Sequence, residues 1–131
     1  MQHIAQVATG HRKILDIFGA NHATPDGTGV RDYIHVEDSA PGHVAAVQKL
    51  LEGCGSFTAN LGTGHRHSVP EIVRAFERAS GQNVPCLIAA RRPGNVAAHY
   101  ADASKAERLL GWRVQHDLKT CASIRGLAVE I

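Results

Sequence analysis

The sequence has few aromatic residues, little net charge and no long apolar run. Aromatic side chains make up 5% of its 131 residues, and 14 Lys and Arg stand against 12 Asp and Glu, for a formal net charge of +2. That balance gives no electrostatic case for nucleic acid or a membrane surface as a partner. No run approaches the ~18 apolar residues of a membrane span, and the opening MQHIAQVATGHRK lacks the basic-then-apolar layout of a signal peptide. Cysteine is scarce: Cys54, Cys86 and Cys121 are odd in number and contain no C-x-x-C pair. This excludes a zinc knuckle and a thioredoxin-type redox motif, and reduced thiols in a cytoplasmic protein are expected. P-loop, H-E-x-x-H and G-x-S-x-G signatures are missing as well. The composition is that of an ordinary globular chain, and the length predicts a single domain over residues 1–131.

Histidine, by contrast, is plentiful, with nine residues. His65 and His67 form an H-x-H pair of the kind that holds zinc or copper. No third ligand lies nearby in sequence, so a solvent-facing loop and no metal site are expected. His35 and His43 are expected to be structural. A Cys–His nucleophile finds no local orienting group.

The apolar pattern alternates between helical and extended pieces. Ile4, Val7 and Ala8 fit a short helix ending at Gly10, and residues 14–18 fit a strand closed by Gly19. Residues 20–29 carry turn chemistry around Pro25-Asp26-Gly27. Residues 33–36 read as a second strand. Asp38 is placed to cap a helix through Leu51 with Pro41 in its first turn, and Gly53 and Gly55 end it. Residues 57–61 read as a strand entering Gly62-Thr63-Gly64. Ser68 and Glu71 form a capping box before the stripe Val69, Ile72, Val73 and Phe76, with Gly81 as the left-handed stop. A strand over 84–89, a basic turn over 91–95, a short helix begun by Asp102 or Ser104, a Trp112 anchor and a last helix over 117–130 complete an α/β order without repeats.

Three tempting motifs are incomplete. Gly62-x-Gly64 opens like a dinucleotide fingerprint, but His67 holds the third glycine position and no acid follows about 20 residues on. A tight turn is the simpler reading, although the following helix start could bind an anion. Tyr100 and Lys105 are five positions apart, which does not stack them as a Y-x-x-x-K pair does. The acids Asp26, Asp32, Glu37 and Asp38 cluster in sequence, but a catalytic pair needs a pocket that separates two pKa values.

Taken together, Phe18-Gly19, Thr24-x-Asp26-Gly27-Thr28-Gly29-Val30-Arg31-Asp32-Tyr33-Ile34-His35-Val36, Asn60-Leu61-Gly62-Thr63-Gly64, Arg91-Arg92-Pro93-Gly94 and Ala101-Asp102-Ala103-Ser104-Lys105-Ala106 resemble the UDP-glucose 4-epimerases. These are extended short-chain dehydrogenases. The resemblance runs over residues 1–114, with a diverged tail at 115–131, and it covers only the C-terminal part of the family, a little over a third. It implies an α/β substrate-binding part with short strands and about four to five helices, lacking the N-terminal Rossmann domain.

In that family NAD takes a hydride from the sugar C4 while a tyrosine removes the hydroxyl proton. The resemblance implies that the NAD-binding and Tyr–Lys half is missing here. This chain alone is then expected to bind no cofactor and to be inactive as an epimerase. By the same resemblance, Asp16 and Phe18 line the uracil, Arg31 and Arg92 grip the diphosphate, Asn95 stands where an aspartate usually bonds the ribose, and His99 lies near the sugar. Departures include Ser39, Pro41, Ala59 and the tail after Leu118. Three readings follow: a truncated epimerase fragment, a stand-alone UDP-sugar-binding module, or a non-catalytic remnant. A homo-oligomer is expected, because a fragment of a larger sheet exposes apolar surface and strand edges.

Overall fold

The structure is a computed structural model and describes residues 2–127, with side-chain surroundings up to Ser123. Five helices and five short strands are intermixed along the described residues: α1 (Gln2–Ala8), β1 (Leu15–Phe18), β2 (Val30–Arg31), α2 (Val36–Leu51), β3 (His67–Ser68), α3 (Val69–Ser80), β4 (Cys86–Ala89), β5 (Ala98–His99), α4 (Ser104–Leu110) and α5 (Leu118–Leu127). The strands form two small sheets. β1 and β4 pair in parallel, with Leu15 opposite Cys86 and Phe18 opposite Ala89. In the other sheet β2 is central, antiparallel to β3 and parallel to β5.

The core is built from the periodicities seen in the sequence. Ile4 and Val7 on α1, Leu15 on β1, Ile72, Val73 and Phe76 on α3, and Val84 form one buried cluster. Ile72 and Phe76 are wholly removed from solvent. α3 starts and stops as expected: Ser68 and Glu71 make both halves of the capping box, and Gly81 adopts φ 69°. A residue with a Cβ would be strained at that left-handed position. α5 packs along α3 and buries Cys121 and Ala122. Positions 128–130 of the expected last helix lie outside the described residues.

Two strand expectations are corrected. Residues 33–36 form no strand; β2 lies earlier, at Val30–Arg31, and Val36 already begins α2. The helix wins because the His35 ring accepts from the Glu37 N–H at 3.1 Å and two acids, Glu37 and Asp38, occupy the positive end of the helix dipole. His35, not Asp38, is therefore the cap. Pro41 is the sixth helical residue, inside the helix rather than in its first turn. Residues 57–61 form no strand either, since no strand among the described residues pairs with them; β propensity alone does not supply a ladder.

Candidate functional site

Strand alternation divides β1 into two faces. Leu15 and Ile17 are buried in the core, while Asp16 and Phe18 lie half-buried on the opposite face. The parallel partner β4 delivers the chain at Ala89 beside Phe18, and the turn that follows carries Arg92 back over the Phe18 ring. The Arg92 guanidinium carbon lies 3.6 Å from the ring centroid. A cation held on an aromatic face keeps its planar N–H fork available for an anion. Asp16 is engaged at its carboxylate by Arg12, 3.5 Å away. Asn95 sits in the same turn: its N–H donates to the Arg92 carbonyl at 3.3 Å, and its own carbonyl accepts from the Arg91 guanidinium at 2.9 Å.

Arg31 and His99 come together in the second sheet. They are cross-strand neighbours in the parallel β2–β5 pairing, and His67 flanks Arg31 from β3. One Arg31 Nη1–H donates to the Val30 carbonyl at 2.7 Å. Among the described residues, neither Arg31 nor Arg92 meets a carboxylate within 4.0 Å. The six residues expected at a ligand thus fall into two groups, Asp16–Phe18–Arg92 and Arg31–His99. Asn95 lies on the loop that joins β4 to β5 between them.

The acids that cluster in sequence take different places. Asp32 follows Arg31 and fastens two distant segments. Its Oδ1 accepts from the Thr63 N–H (3.1 Å) and hydroxyl, and its Oδ2 accepts from the N–H groups of Gly64 (3.0 Å) and Ala101 (3.2 Å). Burial pushes the Asp32 carboxyl up, but these hydrogen bonds outweigh it and hold the group below the ordinary carboxylate value. The turn at Gly62-Thr63-Gly64 therefore already binds an anion, which is the protein's own side chain. A Cβ on Gly62 would lie 2.6 Å from Asp32 Oδ2 and 2.5 Å from the Ala101 methyl. This turn does not fit a dinucleotide phosphate, because its donors are occupied and its space is filled. Asp26 accepts from the Thr28 N–H and hydroxyl within a turn.

Asp38 is buried and ties α2 to the segment after α4. Its carboxylate accepts from the N–H groups of Gln115 (3.1 Å) and His116 (2.9 Å) and meets the His116 ring at 2.9 Å. Its carbonyl accepts from the Trp112 indole at 2.7 Å, and Trp112 is the buried anchor expected. Nothing local in the sequence announces this junction, since Asp38 and His116 are 78 positions apart. His65 and His67 do not converge on a third ligand among the described residues. His65 is exposed, and His67 stands in β3 rather than in a loop, 4.0 Å from Glu71. His22 also went unrecognised in the sequence. It is buried beside Gly19 at the end of β1, where a Cβ on Gly19 would lie 2.9 Å from its Nε2.

Comparison with known proteins gives this arrangement a context. The family model described as GDP-mannose 4,6 dehydratase matches residues 1–124. UDP-glucose 4-epimerase of Mus musculus is 55% identical over 112 residues, covering 86% of this chain and 32% of that protein. The Bacillus subtilis UDP-glucose 4-epimerase is 51% identical over 119 residues, covering 91% and 35%. Among solved structures, UDP-glucose-4-epimerase from Stenotrophomonas maltophila with bound NAD and formylated UDP-arabinopyranose superposes with a TM-score of 0.90. It is 48% identical and covers 98% of this chain and 39% of that one. The Bifidobacterium longum UDP-glucose 4-epimerase in complex with NAD+ and UDP has a TM-score of 0.87 at 48% identity, covering 94% and 36%. The chain spans about a third of the length of the curated relatives it matches.

Proposed function

The chain belongs to the GDP-mannose 4,6 dehydratase family, a group of extended short-chain dehydrogenases, and from that premise we propose that it is the UDP-sugar-holding, C-terminal part of a UDP-glucose 4-epimerase. The observation that carries this reading is a pair of arginines that meet no carboxylate among the described residues. Arg92 lies flat on Phe18 and Arg31 stands beside His99, and neither is neutralised by a carboxylate among the described residues. Two guanidinium forks without an internal anion suit a diphosphate, which takes them in bidentate fashion. Phe18 gives a pyrimidine an apolar wall on the same face as Asp16. Asn95 offers an uncharged polar group to a ribose, and His99 takes the sugar side. The relatives crystallised with NAD+ and UDP, or with NAD and formylated UDP-arabinopyranose, support the ligand class.

In this reading the 131 residues hold the nucleotide sugar and do not epimerise it. The Rossmann fingerprint and the Y-x-x-x-K pair do not occur in the sequence, and the partial glycine motif at residues 62–64 is filled by Asp32. Titration calorimetry with UDP tests the binding. UDP binds the wild-type chain, and Arg31→Ala and Arg92→Ala each weaken it at least tenfold, consistent with the loss of a charged hydrogen bond of about 1.5–3 kcal/mol. No binding tighter than about 1 mM (roughly −4 kcal/mol) overturns the reading. Conversion of UDP-galactose to UDP-glucose by the pure chain with added NAD overturns the non-catalytic part of it.

Self-association is a companion reading favoured by one observation. Val44, Val47, Leu50 and Leu51 on α2, with Leu87 and Ile88 on β4, are all about half or more exposed. Apolar surface of this kind drives association in water. Light scattering then reads a dimer or larger species; a monomer at every concentration rejects it.

A further inference from the structure

We propose that His35, Glu37 and His116 form a binding site for one borderline divalent transition-metal ion, with zinc as the best fit, that ties the first turn of α2 to the segment leading into α5. One donor atom from each of the three side chains lies within 4.8 Å of the other two. Tetrahedral zinc with bonds of about 2.1 Å places its donors roughly 3.4 Å apart. The three atoms therefore need to close by little more than an ångström. Glu37 is free to supply that movement, since 65% of its side chain is exposed.

The orientation of His116 is the strongest argument. Its Nδ1 lies 2.9 Å from Asp38 Oδ1, and Asp38 is a buried carboxylate that also accepts two backbone N–H groups. A carboxylate there accepts from the tautomer that carries its proton on Nδ1, the tautomer whose Nε2 lone pair a metal ion takes. That Nε2 faces Glu37 Oε2 at 3.7 Å. A buried carboxylate behind an imidazole, with the other ring nitrogen turned to an open donor, is the arrangement by which proteins orient metal-binding histidines. Asp38 is thus the positioning residue and His116 the ligand.

His35 completes the set from the buried side. Its ring stacks on His116 with centroids 4.6 Å apart and planes 30° from parallel. Its Nδ1 accepts from the Glu37 N–H at 3.1 Å, so metal entry at that nitrogen exchanges this hydrogen bond for a coordination bond. Two imidazoles and one carboxylate select zinc, cobalt or nickel over magnesium and calcium, which demand an all-oxygen shell. Three protein donors leave at least one position for water. None of the three residues belongs to the UDP-sugar group, so the two readings stand or fall separately.

The test is zinc titration of the full 131-residue chain by calorimetry, with magnesium as the comparison and cobalt(II) absorption as the report on coordination. One zinc per chain is expected at this site, with little response to magnesium. Glu37→Gln and His116→Ala each weaken it tenfold or more and remove the cobalt bands, whereas the double change His65→Ala and His67→Ala leaves both intact. Zinc should also raise the melting temperature of the wild type and not of Glu37→Gln. Because Glu37 is exposed, Glu37→Gln decides the matter even if His116→Ala fails to fold. The proposal is overturned if zinc does not bind. It is equally overturned if Glu37→Gln binds zinc like the wild type, or if the His65/His67 change abolishes binding, which would place the ion on surface imidazoles.

Discussion

Replacing Asp32 with asparagine keeps the shape of the side chain and removes one of its two acceptor oxygens. The carboxylate accepts backbone N–H groups on both oxygens, Thr63 on Oδ1 and Gly64 with Ala101 on Oδ2. With the amide oxygen at Oδ1, its NH2 opposes the N–H groups of Gly64 and Ala101. With the oxygen at Oδ2, only the Thr63 N–H is opposed, and the Thr63 hydroxyl rotates to accept. The second orientation is cheaper. It still strands one partly buried donor, costing about 1–3 kcal/mol, and turns the two remaining charge-assisted bonds into neutral ones. The sum is about 2–4 kcal/mol, a large share of the stability of a small chain. Urea unfolding should show the midpoint falling with the slope unchanged, because the area exposed on unfolding is the same. Asp32→Asn within about 0.5 kcal/mol of wild type refutes the reasoning, since the loop at residues 62–64 would then not depend on the charge. Thr63→Val removes only the hydroxyl and should cost about 1 kcal/mol.

Other perturbations follow from the same contacts. For Asp38, burial raises the carboxyl pKa, but hydrogen bonds from His116 and Gln115 outweigh it, so the folded value lies below the ordinary one. The folded chain binds this proton less tightly than the unfolded chain. The stabilisation is complete above the unfolded value of about 3.9 and is lost as pH falls through the lower folded value. Acid unfolding followed by circular dichroism should therefore shift to higher pH in Asp38→Asn. Pro41→Ala restores a helix N–H inside α2 and removes a ring from the helix interior; thermal unfolding should show stabilisation of about 1–3 kcal/mol. Gly42→Ala does the opposite despite the better helix former. Its Cβ would lie 2.6 Å from Leu61 Cδ1 and 3.1 Å from the Trp112 indole nitrogen, and such overpacking costs about 1–3 kcal/mol in urea unfolding.

Legibility in the sequence followed the range of the interaction. α1, β1 and α3 with its capping box were read nearly in place, because each is written in consecutive residues: a 3.6-residue apolar stripe, a short apolar run, or a Ser68–Glu71 pair three positions apart. The expected α/β class and the helix number hold. The strand expected at 33–36 failed because β propensity there competes with a helix start capped by a histidine, an uncommon cap. The strand expected at 57–61 finds no partner among the described residues, and no local pattern supplies one. Of the site, Phe18 and Arg92 could be singled out only through a family resemblance. Their contact spans 74 positions and depends on the parallel β1–β4 pairing.

The sequence by itself determined the family, the absence of a complete dinucleotide or Tyr–Lys motif, and the local starts and stops of the helices. These are set by the order of residue types within a few turns of chain. Only the tertiary structure decided what the charged groups do. It turned Asp32 into the anion that fills the 62–64 glycine turn, made Asp38 the buried tie to His116, and left Arg31 and Arg92 without a carboxylate among the described residues. The physical reason is that a charge acquires its role from what lies within a few ångströms in space, and here those neighbours come from segments 31 to 78 residues away.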